Sequence, residues 1–210
     1  MSTPRAQRRR PYRQRARADA AQLTRRRIVD AAVELHTTIG PLRTTISAIA
    51  DRAGVERVTV YRHFPDERAL FTACSNRFLE DHPPPDLTGP MSIADPVMRI
   101  EAVLLAVYAY YRQHEPMIST LLRDVPAVPV LAEYLGPYLV LVRDGANALA
   151  AGLPGAPNPH LLRAAIGHAL AFPTWQSLAR DQGLTDHECA GMMTPLVNLL
   201  AHGRRSGTHD

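Results

Sequence analysis

The sequence predicts an all-α fold, and three observations predict it. Apolar residues recur at spacings of three and four along most of the chain, no stretch alternates apolar and polar residues as a half-buried strand does, and Gly and Pro separate one periodic run from the next. With 210 residues, 46% of them apolar, the chain is long enough to bury a sizeable core, and it carries no internal repeat.

The elements follow in order. Residues 1–23, with Pro4 and Pro11 and no apolar periodicity, are expected to form a flexible Arg-rich arm that turns helical only near its end. Thr24 can cap a first helix on which Ile28, Ala32, Leu35 and Ile39 face inward, and Gly40-Pro41 stops it. Thr44 and Thr45 precede a short second helix with Ile46, Ile49, Ala50 and Ala53. It closes at Gly54, a residue type that tolerates the left-handed backbone of a sharp turn, and Val55 plugs that turn. A third short helix, Arg57 to Phe64, sets Val60 and Phe64 inside and leaves Arg57, Thr59, Arg62 and His63 outside. Pro65-Asp66 breaks and recaps the chain, and a fourth helix follows over 67–81. Residues 24–81 thus form a first domain, and the four prolines of 82–92 mark a linker.

Residues 92–210 read as a second helical domain. Asp95-Pro96 opens a run through Val97, Ile100, Leu104, Val107 and Tyr111. Pro116 starts a short helix to Asp124, Pro126 and Pro129 open a longer one to about Leu153, and 152–159 form a loop. Two last helices are expected near 160–181 and 185–202.

Charge divides the chain as well. All 24 basic side chains are Arg, against 20 acids, for a net charge of +4. Residues 1–81 hold 16 Arg and 9 acids, and residues 82–210 hold 8 Arg and 11 acids, so only the first part suits a polyanion such as nucleic acid or an anionic membrane surface. Residues 18–81, however, contain 9 of each sign, so the surplus sits in the arm. Its seven Arg, from Arg5 to Arg17, leave two readings: an arm that follows a minor groove, or a solvated tail.

Other classes are excluded by what the chain lacks. Cys74 and Cys189 are far apart with no C-x-x-C pair, which indicates neither a disulfide framework nor zinc. The basic N-terminus is not followed by an apolar segment, and no run of about 18 apolar residues is present, so a cytoplasmic protein without a membrane partner is expected. A transit peptide over 1–27 would be richer in Ser. G-x-S-x-G, a phosphate-binding Gly loop and H-E-x-x-H are absent, and His187-Glu188-Cys189 lacks the P-C-x-x-C partner of a zinc deaminase. No catalytic residue, cofactor or metal is expected. An absence of Lys beside abundant Arg and Ala fits a GC-rich bacterial genome.

Two short helices joined by the tight turn A-D-R-A-G-V, the second studded with outward Arg, Thr and His, form a helix-turn-helix whose second helix is built to enter a major groove. Thr44 and Thr45 add hydroxyl and N–H donors at a helix N-terminus, where phosphate is favoured. The segment T-T-I-S-A-I-A-D-R-A-G-V with T-V-Y-R-H-F-P-D-E-R-A-L-F resembles the TetR family of transcriptional regulators, over about Thr24 to Phe71.

The resemblance implies a three-helix DNA-binding head, a fourth helix joining it to a helical body, a homodimer and a small-molecule effector. Carried over by position, Thr44, Thr45 and Ser47 approach the phosphates and groove. Arg57, Val58 and Thr59 read bases, and Tyr61, Arg62 and His63 hold the DNA. A Tyr61 that only packs within the head is the competing reading. Glu67 stands where members often place a phosphate-clamping Lys, with Arg68 next to it. Glu56 is a weak cap whose carboxylate either reads a cytosine amino group or costs affinity.

In the body, an apolar pocket is expected from Tyr108, Tyr111, Met117, Tyr134, Tyr138, His168, Phe172 and Trp175, any of which can also be simple core. The last two helices offer Leu162, Ile166, Leu170, Pro173, Leu178, Met192, Leu196, Leu199 and Leu200 for pairing across a two-fold axis, against the alternative of a thick-cored monomer. The expected function is a repressor bound as a dimer to a pseudo-palindromic double-stranded operator and released by a mostly apolar ligand. The alternatives are an activator or ligand-independent regulator of the same fold, or a helical interaction module whose basic tail binds RNA or membrane.

Overall fold

The computed structural model describes residues 5–202, and every regular element among them is helical. Helix α1 runs over Arg5–Thr38. The arm expected to be flexible over 1–23 is therefore helix from Arg5 onward, and residues 1–4 lie outside the described part. Arg, Ala and Gln dominate this stretch and all favour helix without needing an apolar face; residues 14–23 are exposed. Thr24 does not cap a helix. It lies inside one, and its hydroxyl donates to the Ala20 carbonyl at 2.9 Å.

The second half of α1 buries Ile28, Val29, Ala31 and Ala32 against the rest of the head. Helix α2 (Ile46–Ala53) adds Ile49, Ala50 and Ala53, and α3 (Arg57–His63) adds Val60, with Phe64 just beyond it. Helix α4 (Glu67–Asp81) closes the cluster with Leu70, Phe71 and Cys74. Burying each larger side chain contributes roughly 1.5–3 kcal/mol.

The chain divides into two compact units. One holds the described residues up to Pro83 together with Ser119–Val130, and the other holds Pro84–Ile118 and the described residues from Leu131 onward. The expected second domain, 92–210, therefore gives up 119–130 to the first unit. Hydrogen bonds explain why. The Thr120 hydroxyl donates to the His36 carbonyl at 2.9 Å, Arg123 donates to the Ile39 carbonyl at 2.9 Å, and the buried Asp124 carboxylate accepts the Leu42 N–H at 3.0 Å. The His36 carbonyl is one that the end of α1 leaves without a helical donor, and Ile39 and Leu42 belong to the turn that follows. Gly40, at φ 91°, lies against the Arg123–Asp124 pair so closely that a Cβ there would collide with both side chains.

The remaining elements are α5 (Thr88–Met91), α6 (Pro96–Asp124), α7 (Pro129–Ala151), α8 (Pro159–Leu170), α9 (Phe172–Gln176) and α10 (Asp186–His202). The prolines of 82–92 do not exclude regular structure, since α5 forms within them. Pro116 does not begin a separate helix. Instead α6 leaves helical geometry at His114 (φ −114°, ψ 15°) and resumes, a kink that the proline ring and its missing N–H account for.

The single helix expected over 160–181 is broken at Ala171, whose φ of −74° and ψ of 135° are extended. Pro173 has no N–H, so the Ala169 carbonyl four residues earlier has no helical donor. The Tyr108 hydroxyl donates to it at 2.7 Å, and the Tyr111 hydroxyl donates to the Leu170 carbonyl at 2.6 Å. After α9 the chain widens into a π turn over Ser177–Asp181 before α10.

Candidate nucleic-acid interface

The start of α2 is set by Thr45, whose side chain accepts the Ala48 N–H at 3.1 Å while its own hydroxyl proton stays available. Thr44 is turned back, donating to the Gly40 carbonyl at 2.8 Å. Gly54 ends α2 in the left-handed region (φ 62°, ψ 45°), and the Val55 N–H reaches the Ala50 carbonyl at 3.0 Å. The Arg27 guanidinium, projecting from α1, donates to the Ala53 and Gly54 carbonyls and so locks the turn from outside. Sequence reasoning missed Arg27, because nothing local ties it to a turn 26 residues away.

Helix α3 begins at Glu56, which occupies the cap position without a side-chain hydrogen bond. Its inner face is Val60, fully buried, followed by the buried Phe64. Its outer face carries Arg57, Val58, Tyr61 and Arg62, with Thr59 and His63 half-buried beside them. Val58 is 63% exposed and Tyr61 50%, so two large side chains of a short helix contribute no core. No acid lies on that face between Arg57 and His63. All nine residues expected at the DNA are accessible, at the start of α2 and on the outside of α3.

Electrostatics mark the end of α3. Burial holds the His63 imidazole below its usual pKa, and repulsion from Arg62 and Arg25 adds to the effect. Arg25, another residue that sequence reasoning passed over, stands with its guanidinium 4.7 Å from the Phe64 ring centre. Beyond Phe64 the Asp66 carboxylate caps α4 by accepting the Ala69 N–H at 2.7 Å, and Glu67 follows.

The second unit distributes its expected site residues differently. Tyr108, Tyr111, Phe172 and Trp175 are fully buried. Both tyrosine hydroxyls are engaged at the α8–α9 break, Tyr111 also meets the Tyr138 hydroxyl at 2.5 Å, and Trp175 donates its indole N–H to Asp186 at 2.8 Å. Burial raises the pKa of both Tyr108 and Tyr111, which keeps them neutral donors. Met117, Tyr134 and Tyr138 are half-buried and His168 is exposed. A surface cleft of about 450 Å³ in this unit is lined by Arg112, Arg180, Leu184 and Asp186 among others, and by none of these eight residues.

Of the residues expected at a dimer contact, Leu162, Ile166 and Leu170 are buried within the unit itself. Met192, Leu196, Leu199 and Pro173 are exposed, and Leu178 and Leu200 are half-buried. Leu161 of α8 is exposed as well. Among the described residues no helix is long and apolar enough to cross a membrane, and no cluster of His, Cys, Asp and Glu could hold a metal ion.

Residues 28–74 match the family described as "Bacterial regulatory proteins, tetR family". Among curated proteins none matches the chain. Among solved structures, the chain is similar to a tetR-family transcriptional regulator from Streptomyces coelicolor, at 20% identity and a TM-score of 0.55 over 84% of this chain and 79% of that one. It is similar to the fatty acid degradation regulator FadR from Bacillus halodurans at 19% identity and a TM-score of 0.53, over 87% and 96%. A transcriptional regulator from Rhodococcus sp. Rha1 matches at 17% identity and a TM-score of 0.53, over 84% and 95%. At these identities the likeness is one of fold.

Proposed function

Because residues 28–74 belong to the tetR family of bacterial regulatory proteins, we propose that this chain is a sequence-specific transcriptional regulator that acts as a homodimeric repressor. The observation that carries the proposal is the division of α3 into a buried face, Val60 with Phe64 behind it, and an exposed face of Arg57, Val58, Thr59, Tyr61 and Arg62. A helix that leaves Val58 and Tyr61 in water is built for a surface that will cover them. In this reading Arg57 donates to guanine O6 and N7, the methyls of Val58 and Thr59 meet thymine methyls, and Thr45, Ser47, Tyr61, Arg62 and His63 hold phosphates, while Thr44 stays folded back on Gly40.

The head in this proposal is 24–81 completed by 119–130, and the rest of 92–210 is the regulatory and dimerising body. Two copies meet through the outward leucines of α8 and α10, placing their α3 helices in successive major grooves about 34 Å apart on a pseudo-palindrome. A small, mostly apolar effector binds the body near Met117, Tyr134 and Tyr138, the expected ligand residues that are neither sealed in the core nor, as His168 is, exposed. It favours a head separation that fits the operator less well. Action on chromosomal DNA places the protein in the bacterial cytoplasm.

Selection of bound duplexes from a random pool, followed by footprinting, tests the reading. A two-fold symmetric footprint is expected, and its absence overturns the proposal in favour of a helical interaction module. Once a site is known, titration with aromatic and long-chain acyl compounds tests release. A reporter placed behind the site reads the sign of regulation.

A further inference from the structure

The fold of the head engages several of its arginines. Arg27 closes the helix-turn-helix turn, Arg52 pairs with Glu34, and Arg77 pairs with Asp30 at 3.0 Å and with Asp81 at 2.9 Å. Arg25 is exposed, and among the described residues it has neither a carboxylate partner nor a hydrogen bond, only the face of Phe64 beneath it at 4.7 Å. Phe64 ends α3, directly after Tyr61, Arg62 and His63, so the guanidinium is held at the end of the helix proposed to lie in the groove. Its field is felt there, since it contributes with Arg62 to disfavouring protonation of His63. The chain just beyond presents two acids, Asp66 and Glu67, and Asp66 is occupied in capping α4. The start of α4 therefore follows α3 with two acids before its first cation, Arg68.

We propose that Arg25 is a DNA phosphate contact, supplying positive charge from α1 at the end of α3. The inference rests on the reading of the head as a DNA-binding module. Stacking on an aromatic face preorients the planar guanidinium, so little freedom is lost when two of its N–H groups meet phosphate oxygens. The contact is independent of base sequence and adds a fixed point at the far end of α3 from Arg57.

The test is the salt dependence of binding, read by fluorescence anisotropy on a labelled duplex of random sequence and on the duplex recovered by selection. For Arg25→Gln, a loss of about tenfold near 0.1 M salt is expected on both duplexes, with the slope of log K against log salt reduced by about one phosphate's share, ~0.9. Arg25→Lys keeps the charge and should keep the slope. Circular dichroism melts of both variants separate a folding defect from a binding defect. If Arg25→Gln lowers the melting temperature but binds with the wild-type slope, Arg25 is a packing residue and the proposal falls. A wild-type chain with no salt-dependent affinity for either duplex overturns the DNA reading itself, and this inference with it.

Discussion

Gly40 and Tyr108 show how far apart in the chain the causes of a single conformation can lie. Gly40 sits at φ 91°, and any Cβ there collides with Arg123 and Asp124. Gly40→Ala is expected to cost at least about 1–2 kcal/mol from backbone strain, plus the displacement of the pair that binds Leu42 and Ile39. Urea denaturation followed by circular dichroism measures it, and a variant as stable as the parent would show that the pair moves aside freely. Tyr108→Phe removes only a hydroxyl yet leaves the buried Ala169 carbonyl without a donor, for an expected loss of about 1–3 kcal/mol. Gly54 was readable from the sequence because the carbonyls its N–H meets, Ala50 and Asp51, are four residues away or fewer. The Asp124 carboxylate was not, because its partner Leu42 is 82 residues distant and neither position has a local pattern that points to the other.

Among the elements, α1 carries the clearest pH dependence. His36 is buried near its end, stacked on Phe71 with ring centres 5.0 Å apart. Burial lowers its pKa from 6.5 to about 4, although Asp124 pulls the other way. The folded head thus holds a neutral imidazole that the unfolded chain would protonate below pH 6.5. Its contribution is fully present above pH 6.5 and is lost as pH falls towards 4, by up to about 3 kcal/mol. Asp124, lowered by its hydrogen bond to Arg123 and then by the Leu42 N–H, adds a further loss only at lower pH. Denaturation midpoints of the parent and of His36→Phe, compared from pH 7.5 to 4, should diverge across that window, and parallel curves would refute the assignment. Element existence was legible wherever an apolar face repeats, as in α2 to α4. The N-terminal half of α1 was misread because helix propensity, and not a buried stripe, makes it helical. The α8–α9 break was missed because it depends on Tyr108 and Tyr111 of α6, which take over the carbonyls at Pro173.

For the whole molecule, pairing should depend on the outward leucines. Leu196 is 52% exposed and Leu199 55%, next to residues of α8 and α10 that are buried within the unit. Leu196→Asp combined with Leu199→Asp is expected to leave the fold intact, convert dimer to monomer in sedimentation, and weaken operator binding by more than tenfold. A double variant that still sediments as a dimer would move the interface elsewhere. The sequence showed that both helices are apolar on more than one face. It did not show which face turns inward, since Leu162 and Leu161 are neighbours of equal hydrophobicity and only packing separates them. The head's formal neutrality was also readable at once, and it made the placement of individual side chains more important than net charge.

Trp175, the only tryptophan of the chain, lies sealed in the second unit beside Arg112, Arg180 and Asp186. Its emission is therefore a built-in optical label for one half of the protein. Heating should change it only when that half opens, whereas the far-ultraviolet dichroism counts helices of both. Two noncoincident melting curves would show that the halves come apart independently, without a single dye being attached.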